Sequence, residues 1–255
     1  MIDIHCHILP AVDDGPRSLQ ESLAMLSKAQ SEGITHIVAT PHCNQNLHLF
    51  RPEIIPQVAH LNEQAQNHEL QIVVLPGSEI ALYDVKLYRH NYSEGRYCHL
   101  GDRPAYSLLE FPWQRDRFPK GAIELMPWLR EQGTRPIIAH PERTPCLRTN
   151  FDIIRAFVEA GAWLQITVDS LLGNMSTMAR DTARELMEEH EHIVLATDSH
   201  GLNRCSGLRI GYATVREWFG ASREQDIRTR TNSILQHLLS TQDVSAEDVS
   251  AQETR

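Results

Sequence analysis

Seven short apolar runs, rich in β-branched residues, alternate with amphipathic helical patterns along most of this chain of 255 residues. The predicted strands are 1–7, 35–42, 71–80, 106–111, 135–140, 162–169 and 192–198. The predicted helices between them are 19–32, 53–69, 120–132, 151–160 and 178–190. Strands that alternate with helices form right-handed βαβ units, so the pattern predicts an α/β fold around a parallel sheet.

A sheet of this kind either closes into a barrel or stays open and doubly wound. No Gly-x-Gly-x-x-Gly or Walker-type loop follows the first predicted strand, which argues against a nucleotide-binding open sheet. The sequence therefore favours an irregular barrel in a single domain, residues 1–239. The final segment, 240–255, is polar and lacks aromatic residues, and it is predicted to be a flexible tail.

Composition excludes several classes of protein. The net charge of −9 disfavours nucleic-acid binding, which needs clustered Lys and Arg. The chain has no apolar run of about 18 residues and no basic start followed by an apolar stretch, so we expect neither membrane insertion nor a signal peptide. The five cysteines are scattered and never form Cys-x-x-Cys, which is typical of a reducing compartment. These features predict a cytoplasmic protein.

Ionisable side chains occupy the ends of six of the seven predicted strands, where the preceding residues are apolar. In a parallel barrel, reactive groups gather at the carboxyl ends of the strands. The turn Asp-Asp-Gly-Pro after the first strand adds one carboxylate to the same face. The candidate metal ligands are His5, His7, Asp14, His42, Glu79, Glu110, His140, Asp198 and His200.

Each motif alone has an ordinary structural explanation, and the prediction rests on their combination. Alternate strand residues point the same way, so His5 and His7 can bind one ion together. Imidazoles with carboxylates suit Mn, Fe or Zn, and the absence of Cys argues against a structural zinc site. Nine ligands are too many for one ion and indicate two or three, bridged by Glu79 or Glu110. Paired ions can hold a hydroxide and stabilise an anionic transition state.

These motifs together resemble the polymerase and histidinol phosphatase (PHP) family, from Met1 to about Gly220. The opening residues, from Met-Ile-Asp-Ile-His-Cys-His to Asp-Asp-Gly-Pro, resemble its manganese-dependent bacterial protein-tyrosine phosphatases of capsule and exopolysaccharide regulation. The resemblance implies a distorted (β/α)7 barrel with three divalent metal ions. Manganese is the expected metal, and iron or zinc is the alternative. The implied ligand sets are His5, His7, Glu79 and Asp198; Glu79, Glu110 and His140; and Asp14, His42 and His200.

The resemblance also implies catalytic residues, namely Arg143, Asp198, His200 and Arg204, with Arg143 meeting the substrate phosphate. An ion pair of Arg143 with Glu142 or a neighbour is the structural alternative. Where the family often has Asn after the last His, this chain has Gly201, and Arg204 lies one residue closer than the family arginine, so Arg209 is a rival. The segment 113–118 is either part of the substrate rim or an ordinary surface loop.

The implied reaction is hydrolysis of a phosphomonoester by a metal-bridging hydroxide. No Cys is followed six residues later by Arg, so the cysteine-nucleophile route is absent. The implied substrate is phosphotyrosine on the tail of a bacterial tyrosine kinase that controls capsule or exopolysaccharide synthesis. The alternatives are a phosphatase for histidinol phosphate or another small molecule, and a non-catalytic metal-binding scaffold. A nuclease is disfavoured by the acidic charge, and self-association into a homo-oligomer is left open.

Overall fold

The computed structural model describes residues 1–204 and 207–240, and every paired strand in this part of the chain is parallel to its neighbour. The strands are β1 (Ile2–Cys6), β2 (His36–Ala39), β3 (His42–Cys43), β4 (Val73–Pro76), β5 (Glu79–Ala81), β6 (Tyr106–Glu110), β7 (Arg135–Ala139), β8 (Trp163–Thr167) and β9 (Ile193–Ala196). They form two sheets, ordered β1-β2-β4 and β3-β5-β6-β7-β8-β9. The predicted α/β class with parallel strands is confirmed.

Two of the predicted strands are each divided between the two sheets. The prediction for 35–42 corresponds to β2 followed by β3, and that for 71–80 corresponds to β4 followed by β5. Pro41 separates β2 from β3, and proline has no N–H with which to continue the ladder. Gly77 separates β4 from β5, where a Cβ atom would lie only 2.6 Å from Cγ1 of Val38. Each break moves the chain from one sheet to the other just before a candidate ligand.

Hydrogen bonds also join the two sheets where β1 meets the end of β9. The backbone N–H of Asp198 donates to the carbonyl of His5 at 2.9 Å, and that of His7 donates to Ser199 at 2.9 Å. Below them, the buried carboxylate of Asp3 accepts from the N–H of Thr197 at 3.1 Å. The first and last strands are therefore fixed side by side, although about the whole length of the domain separates them in sequence.

Helices cover the sheets, and all five predicted helices are confirmed to within two residues at either end. The helices are α1 (Leu19–Ser31), α2 (Arg51–Asn67), α3 (Val85–Ser93), α4 (Ala122–Glu131), α5 (Pro145–Arg148), α6 (Phe151–Glu159), α7 (Val168–Leu171), α8 (Thr177–Glu189) and α9 (Leu208–Ser240). α9 was not predicted, and Gly220 interrupts it with a left-handed φ of 83°. Within the described residues, no helix has both the length and the apolar composition needed to cross a bilayer.

The core is built from two clusters of buried apolar side chains. The larger one lies between the helices and the sheets. The smaller one includes Ile4, Leu108 and Val194 from three strands, and Ile234 and Leu238 of α9 pack against it. α9 therefore completes the core. Of the predicted tail, 240–255, Ser240 is the last residue of α9, and the remaining residues lie outside the described part of the chain.

Candidate metal centre

The structure brings all nine predicted metal ligands together in one cluster. They form overlapping groups whose ligand atoms lie within 4.8 Å of one another. The groups are His7, Asp14, His42 and His200; His5, Glu79 and His140; His5, His7 and Asp198; and His42, Glu79 and Glu110. Two of these residues do not end a strand as the sequence pattern suggested, because His42 begins β3 and Glu79 begins β5.

The imidazoles of His5 and His7 face each other with Nε2 atoms 3.3 Å apart. Nδ1 of His5 lies 2.9 Å from Oε1 of Gln165, and Nδ1 of His7 lies 2.7 Å from Oδ2 of Asp13. Both partners are acceptors, so each Nδ1 carries a proton, and each Nε2 presents a lone pair whenever its ring is neutral. Two lone pairs at this distance repel unless a cation lies between them or one ring is protonated. This arrangement fits a bound metal ion.

Glu79 and Asp198 supply the negative charge at the centre of the cluster, and both side chains are almost fully buried. Oε1 of Glu79 lies 2.8 Å from Nε2 of His140, and its Oε2 lies 2.9 Å from Nδ1 of His42. Oδ1 of Asp198 lies 3.2 Å from Nε2 of His5. Burial raises the pKa of both carboxyls, but the surrounding histidines outweigh it and hold each pKa well below its usual value.

Three buried polar atoms in the centre lack a hydrogen-bond partner within the described structure: Nδ1 of His42, Oε2 of Glu79 and Nδ1 of His140. The first two are close to each other, but their geometry is not that of a hydrogen bond. A buried polar atom left unpaired costs free energy on the order of 1–3 kcal/mol. Coordination of a cation between Glu79 and His42 removes this cost, which is a second indication that the residues fit a metal.

Asp14, His42 and His200 form the outer side of the cluster. Oδ1 of Asp14 lies 3.4 Å from Nε2 of His42 and 3.4 Å from Nε2 of His200. Nδ1 of His200 lies 2.8 Å from the carbonyl of Asp198, which leaves its Nε2 as the lone-pair atom. Contacts with His200 and His42 lower the pKa of Asp14. The side chain of Asp14 is 62% exposed, so this part of the centre is open to a substrate.

Arg143 and Arg204 meet on the same carboxylate oxygen, Oδ2 of Asp198. Nη2 of Arg204 donates to it at 2.8 Å, and Nη1 of Arg143 also donates to it. Both guanidinium groups line a cavity of about 200 Å³ together with eight other side chains, namely Asp14, His42, Glu79, Glu110, Trp113, His140, Asp198 and His200. Two positive charges beside the cluster of candidate ligands form an anion-binding arrangement.

Of the structural alternatives for the arginines, an ion pair of Arg143 with a neighbour is present, because Arg143 pairs with Asp198. Glu142 is not the hydrogen-bond partner of Arg143; its buried carboxylate accepts from the backbone N–H of Thr167 at 3.0 Å. Arg209 lies on α9, and its Nη2 is 3.9 Å from the Cβ position of Gly33, outside the residues that line the cavity. Of the three arginines considered from the sequence, the structure brings Arg143 and Arg204 to the site.

The backbone is left-handed at two candidate ligands, His140 with a φ of 33° and Asp198 with a φ of 52°. Each follows the end of a strand, β7 and β9 respectively. Non-glycine residues adopt this region rarely and at a cost on the order of 1–3 kcal/mol, usually where function requires it. Both side chains of these residues belong to the cluster of candidate ligands.

Three further residues shape the site: Asp13 and Gln165, which sequence reasoning missed, and Trp113, which it left undecided. Asp13 adjoins the predicted ligand Asp14, but its carboxylate contacts Nδ1 of His7 instead of joining a ligand group. Gln165 is fully buried in β8, and a polar residue inside the apolar run Trp-Leu-Gln-Ile-Thr was the available signal. Trp113 lies in the segment left undecided between rim and surface, and it lines the cavity.

Replacing Gln165 by methionine is expected to weaken metal binding 10- to 100-fold, the usual effect of losing a partner that orients a ligand. Gln165 accepts from Nδ1 of His5 and also, at 3.3 Å, from the backbone N–H of His140. Gln165→Glu keeps the acceptor and is expected to retain most of the affinity. Calorimetric titration with Mn²⁺ measures both variants. Equal affinities in the wild type and Gln165→Met would contradict this role.

Metal binding at about pH 7 is expected to release protons. Burial lowers the pKa of His42, but contacts with Asp14 and Glu79 outweigh it and raise the value to about 10. Burial, with the charge of Glu79, raises the pKa of Glu110 to about 7. The metal-free site therefore holds protons that a cation must displace, and apparent affinity rises with pH. Calorimetry in two buffers of different ionisation enthalpy counts the protons; a count of zero would contradict this expectation.

Residues 1–236 match the protein family described as capsular polysaccharide synthesis, CpsB/CapC. The chain belongs to this family. It is 36% identical to the tyrosine-protein phosphatase YwqE of Bacillus subtilis over 203 residues, which cover 79% of this chain and 78% of YwqE. The resemblance to the tyrosine phosphatases of capsule regulation, predicted from the opening motif, is thereby confirmed.

Solved structures agree with this membership of the CpsB/CapC family. One match comes from a study of YwqE from Bacillus subtilis and CpsB from Streptococcus pneumoniae, described as unique metal-dependent tyrosine phosphatases. It has a TM-score of 0.85 at 31% identity and covers 92% of this chain and 94% of that one. A phosphotriesterase homology protein from Escherichia coli has a TM-score of 0.53 at 11% identity, covering 89% and 94% of the two chains, which bears on the fold alone.

Proposed function

We propose that this protein is a metal-dependent protein-tyrosine phosphatase. Its substrate is phosphotyrosine on a bacterial tyrosine kinase that controls capsule or exopolysaccharide synthesis. The observation that carries the proposal is the joint placement of nine ligand side chains and two arginines around one cavity of about 200 Å³. A cation cluster beside two guanidinium groups suits a phosphate dianion, and the activity of the family relatives indicates which phosphate ester.

The centre is proposed to hold three divalent metal ions. Manganese is the proposed metal, with iron or zinc as the alternative. The first ion would be held by His5, His7, Glu79 and Asp198. The second would be held by Glu79, Glu110 and His140, and the third by Asp14, His42 and His200. The overlap of the residue groups at Glu79 supports a bridging role for that carboxylate. Imidazole and carboxylate ligands without thiolate are consistent with these metals.

The fold is proposed to be a distorted (β/α)7 barrel of the PHP type, within a domain of residues 1–239. The hydrogen bonds between β1 and the end of β9, together with the two divided strands, support closure of the sheets. The fold-level likeness to a phosphotriesterase relative agrees with a barrel. Free thiols at Cys43, Cys98 and Cys146 support a reducing location, so we place both protein and kinase tail in the cytoplasm.

In the proposed mechanism, Arg143 and Arg204 bind the phosphate oxygens and hold phosphorus over the ligand cluster. Asp198, which accepts from both guanidinium groups, fixes their positions. His200, at the exposed side of the cluster, lies where it can contact the phosphate or the departing oxygen. Bound divalent ions would supply a nucleophile from water and offset the charge of the transition state. A tyrosine leaving group, with a pKa of about 10, needs little protonation to depart.

The test is a side-by-side assay of purified protein with Mn²⁺ on a phosphotyrosyl peptide and on histidinol phosphate. The phosphotyrosyl peptide is expected to have the higher kcat/KM, and excess chelator is expected to abolish turnover until Mn²⁺ is restored. A much higher rate on histidinol phosphate would assign the chain to small-molecule metabolism. Metal binding without hydrolysis of either substrate would indicate a non-catalytic scaffold.

A further inference from the structure

Trp113 differs in chemistry from every other described residue that lines the catalytic cavity. The other nine lining side chains are His, Asp, Glu or Arg, and Trp113 alone is apolar. Trp113 is 43% exposed, although tryptophan side chains are on average largely buried in folded proteins. Trp113 thus places an exposed apolar ring beside a polar cavity, where a ligand bound in the cavity can contact it.

The orientation of the indole is fixed by contacts along its edge and with its neighbours. Its Nε1–H donates to Oε1 of Glu110 at 2.8 Å. The guanidinium carbon of Arg143 lies 5.4 Å from the ring centroid, within cation–π range. The His140 ring is 5.7 Å away and tilted by 30°. The indole is therefore held rigidly beside the arginine that we assign to phosphate binding.

The hydrogen bond to Glu110 does not by itself explain why this residue is aromatic and open. A purely structural tryptophan would donate through Nε1 and bury its ring faces, whereas Trp113 remains nearly half exposed. Two roles can thus be separated. The indole N–H orients a candidate metal ligand, and the open ring surface is available to a substrate.

We propose that Trp113 determines specificity for aryl phosphates by packing against the phenyl ring of phosphotyrosine while Arg143 binds the phosphate. This inference rests on the proposed phosphatase function. In phosphotyrosine only the ester oxygen separates phosphorus from the ring, so binding at Arg143 brings the ring close to the neighbouring indole. Aromatic pairs are favourable at centroid separations of about 4.5–7 Å. Phosphoserine offers only a methylene group at that place and gains no such contact.

Two variants separate the ring from the N–H. Trp113→Phe keeps an aromatic face and loses the hydrogen bond to Glu110, whereas Trp113→Leu loses both. The readout is kcat/KM on a phosphotyrosyl peptide divided by kcat/KM on the phosphoseryl peptide of the same sequence. Trp113→Leu is expected to lower this ratio about 3- to 10-fold, the range of one aromatic contact, and Trp113→Phe to preserve it. Trp218→Leu, outside the cavity, controls for loss of an aromatic residue elsewhere and is expected to leave the ratio unchanged.

The inference would be overturned if Trp113→Leu leaves this ratio of kcat/KM values unchanged. It would also be overturned if kcat/KM falls equally on both peptides in both variants. Either result leaves the phosphatase function intact. A wild type that hydrolyses neither peptide with Mn²⁺ would overturn both proposals. If Trp113→Leu does not fold, inhibition constants of phenylphosphonate and ethylphosphonate decide the question. Preference for the phenyl compound in the wild type and in Trp113→Phe supports the inference, and equal inhibition of the wild type by the two compounds contradicts it.

Discussion

Glu79→Gln is expected to reduce kcat/KM on the order of 10³-fold, the scale of losing a central electrostatic group in an active site. Four of the five candidate histidine ligands lie within 3.5 Å of the carboxylate oxygens of Glu79, namely His5, His7, His42 and His140. A neutral amide keeps the size of the side chain but cannot balance the charge of bridged cations. Metal content per chain is expected to fall together with activity.

Steady-state kinetics and elemental analysis of the purified variant test this expectation. Glu63→Gln is the matched control, because its carboxylate is 69% exposed on α2 and should affect neither quantity. Circular dichroism establishes that Glu79→Gln is folded. Full metal content with more than about a tenth of the wild-type activity would remove Glu79 from the centre of the proposed mechanism, which predicts a loss on the order of 10³-fold.

Arg143→Ala is expected to lower kcat/KM about 10²- to 10³-fold while metal content stays near the wild-type value. Arg143 is not a metal ligand, and its guanidinium group, 12% exposed, faces the cavity from its pair with Asp198. The loss therefore concerns phosphate binding and transition-state charge. Arg204→Ala is expected to lower kcat/KM less than Arg143→Ala does. The side chain of Arg204 is 34% exposed, so water weakens its interaction with the phosphate.

The separation of activity from metal content distinguishes Arg143 from the ligands. Arg155→Ala removes an exposed arginine that pairs with Glu189, and it is expected to leave both quantities unchanged. Arg143→Lys retains the charge but not the planar pair of donors, so partial recovery is expected. If Arg143→Ala keeps full activity, Arg204 alone binds the phosphate and the pairing with Asp198 is structural.

Much of the fold followed from the period of the apolar pattern. The helices α1, α6 and α8 were located to within one residue at each end, because their apolar faces and terminal residues are regular. The divisions between β2 and β3 and between β4 and β5 were not foreseen, since an apolar run does not show which sheet each half joins. α9 was missed because its pattern is interrupted at Gly220 and its buried residues contact parts of the core that are remote in sequence.

The nine candidate ligands were identified in the sequence because strand ends can be located there and the chemistry of their side chains read directly. The residues that support the ligands were not, because their role depends on distances that no local pattern encodes. Gln165 meets His5 across 160 residues, and Trp113 reaches Glu110 through a loop whose path was not predictable. Asp13 and Asp14 are neighbours with different partners, a distinction that only the backbone geometry of the turn reveals.

The pairing of β1 with the end of β9 also bears on how the chain acquires its native state. The contact between Asp3 and Thr197 spans 194 residues, so β1 is fixed in place only after β9 has been synthesised. Contacts of such high sequence separation form late and slow folding. The cluster then exists only once synthesis of the domain is nearly complete, and metal loading must follow assembly of the polypeptide.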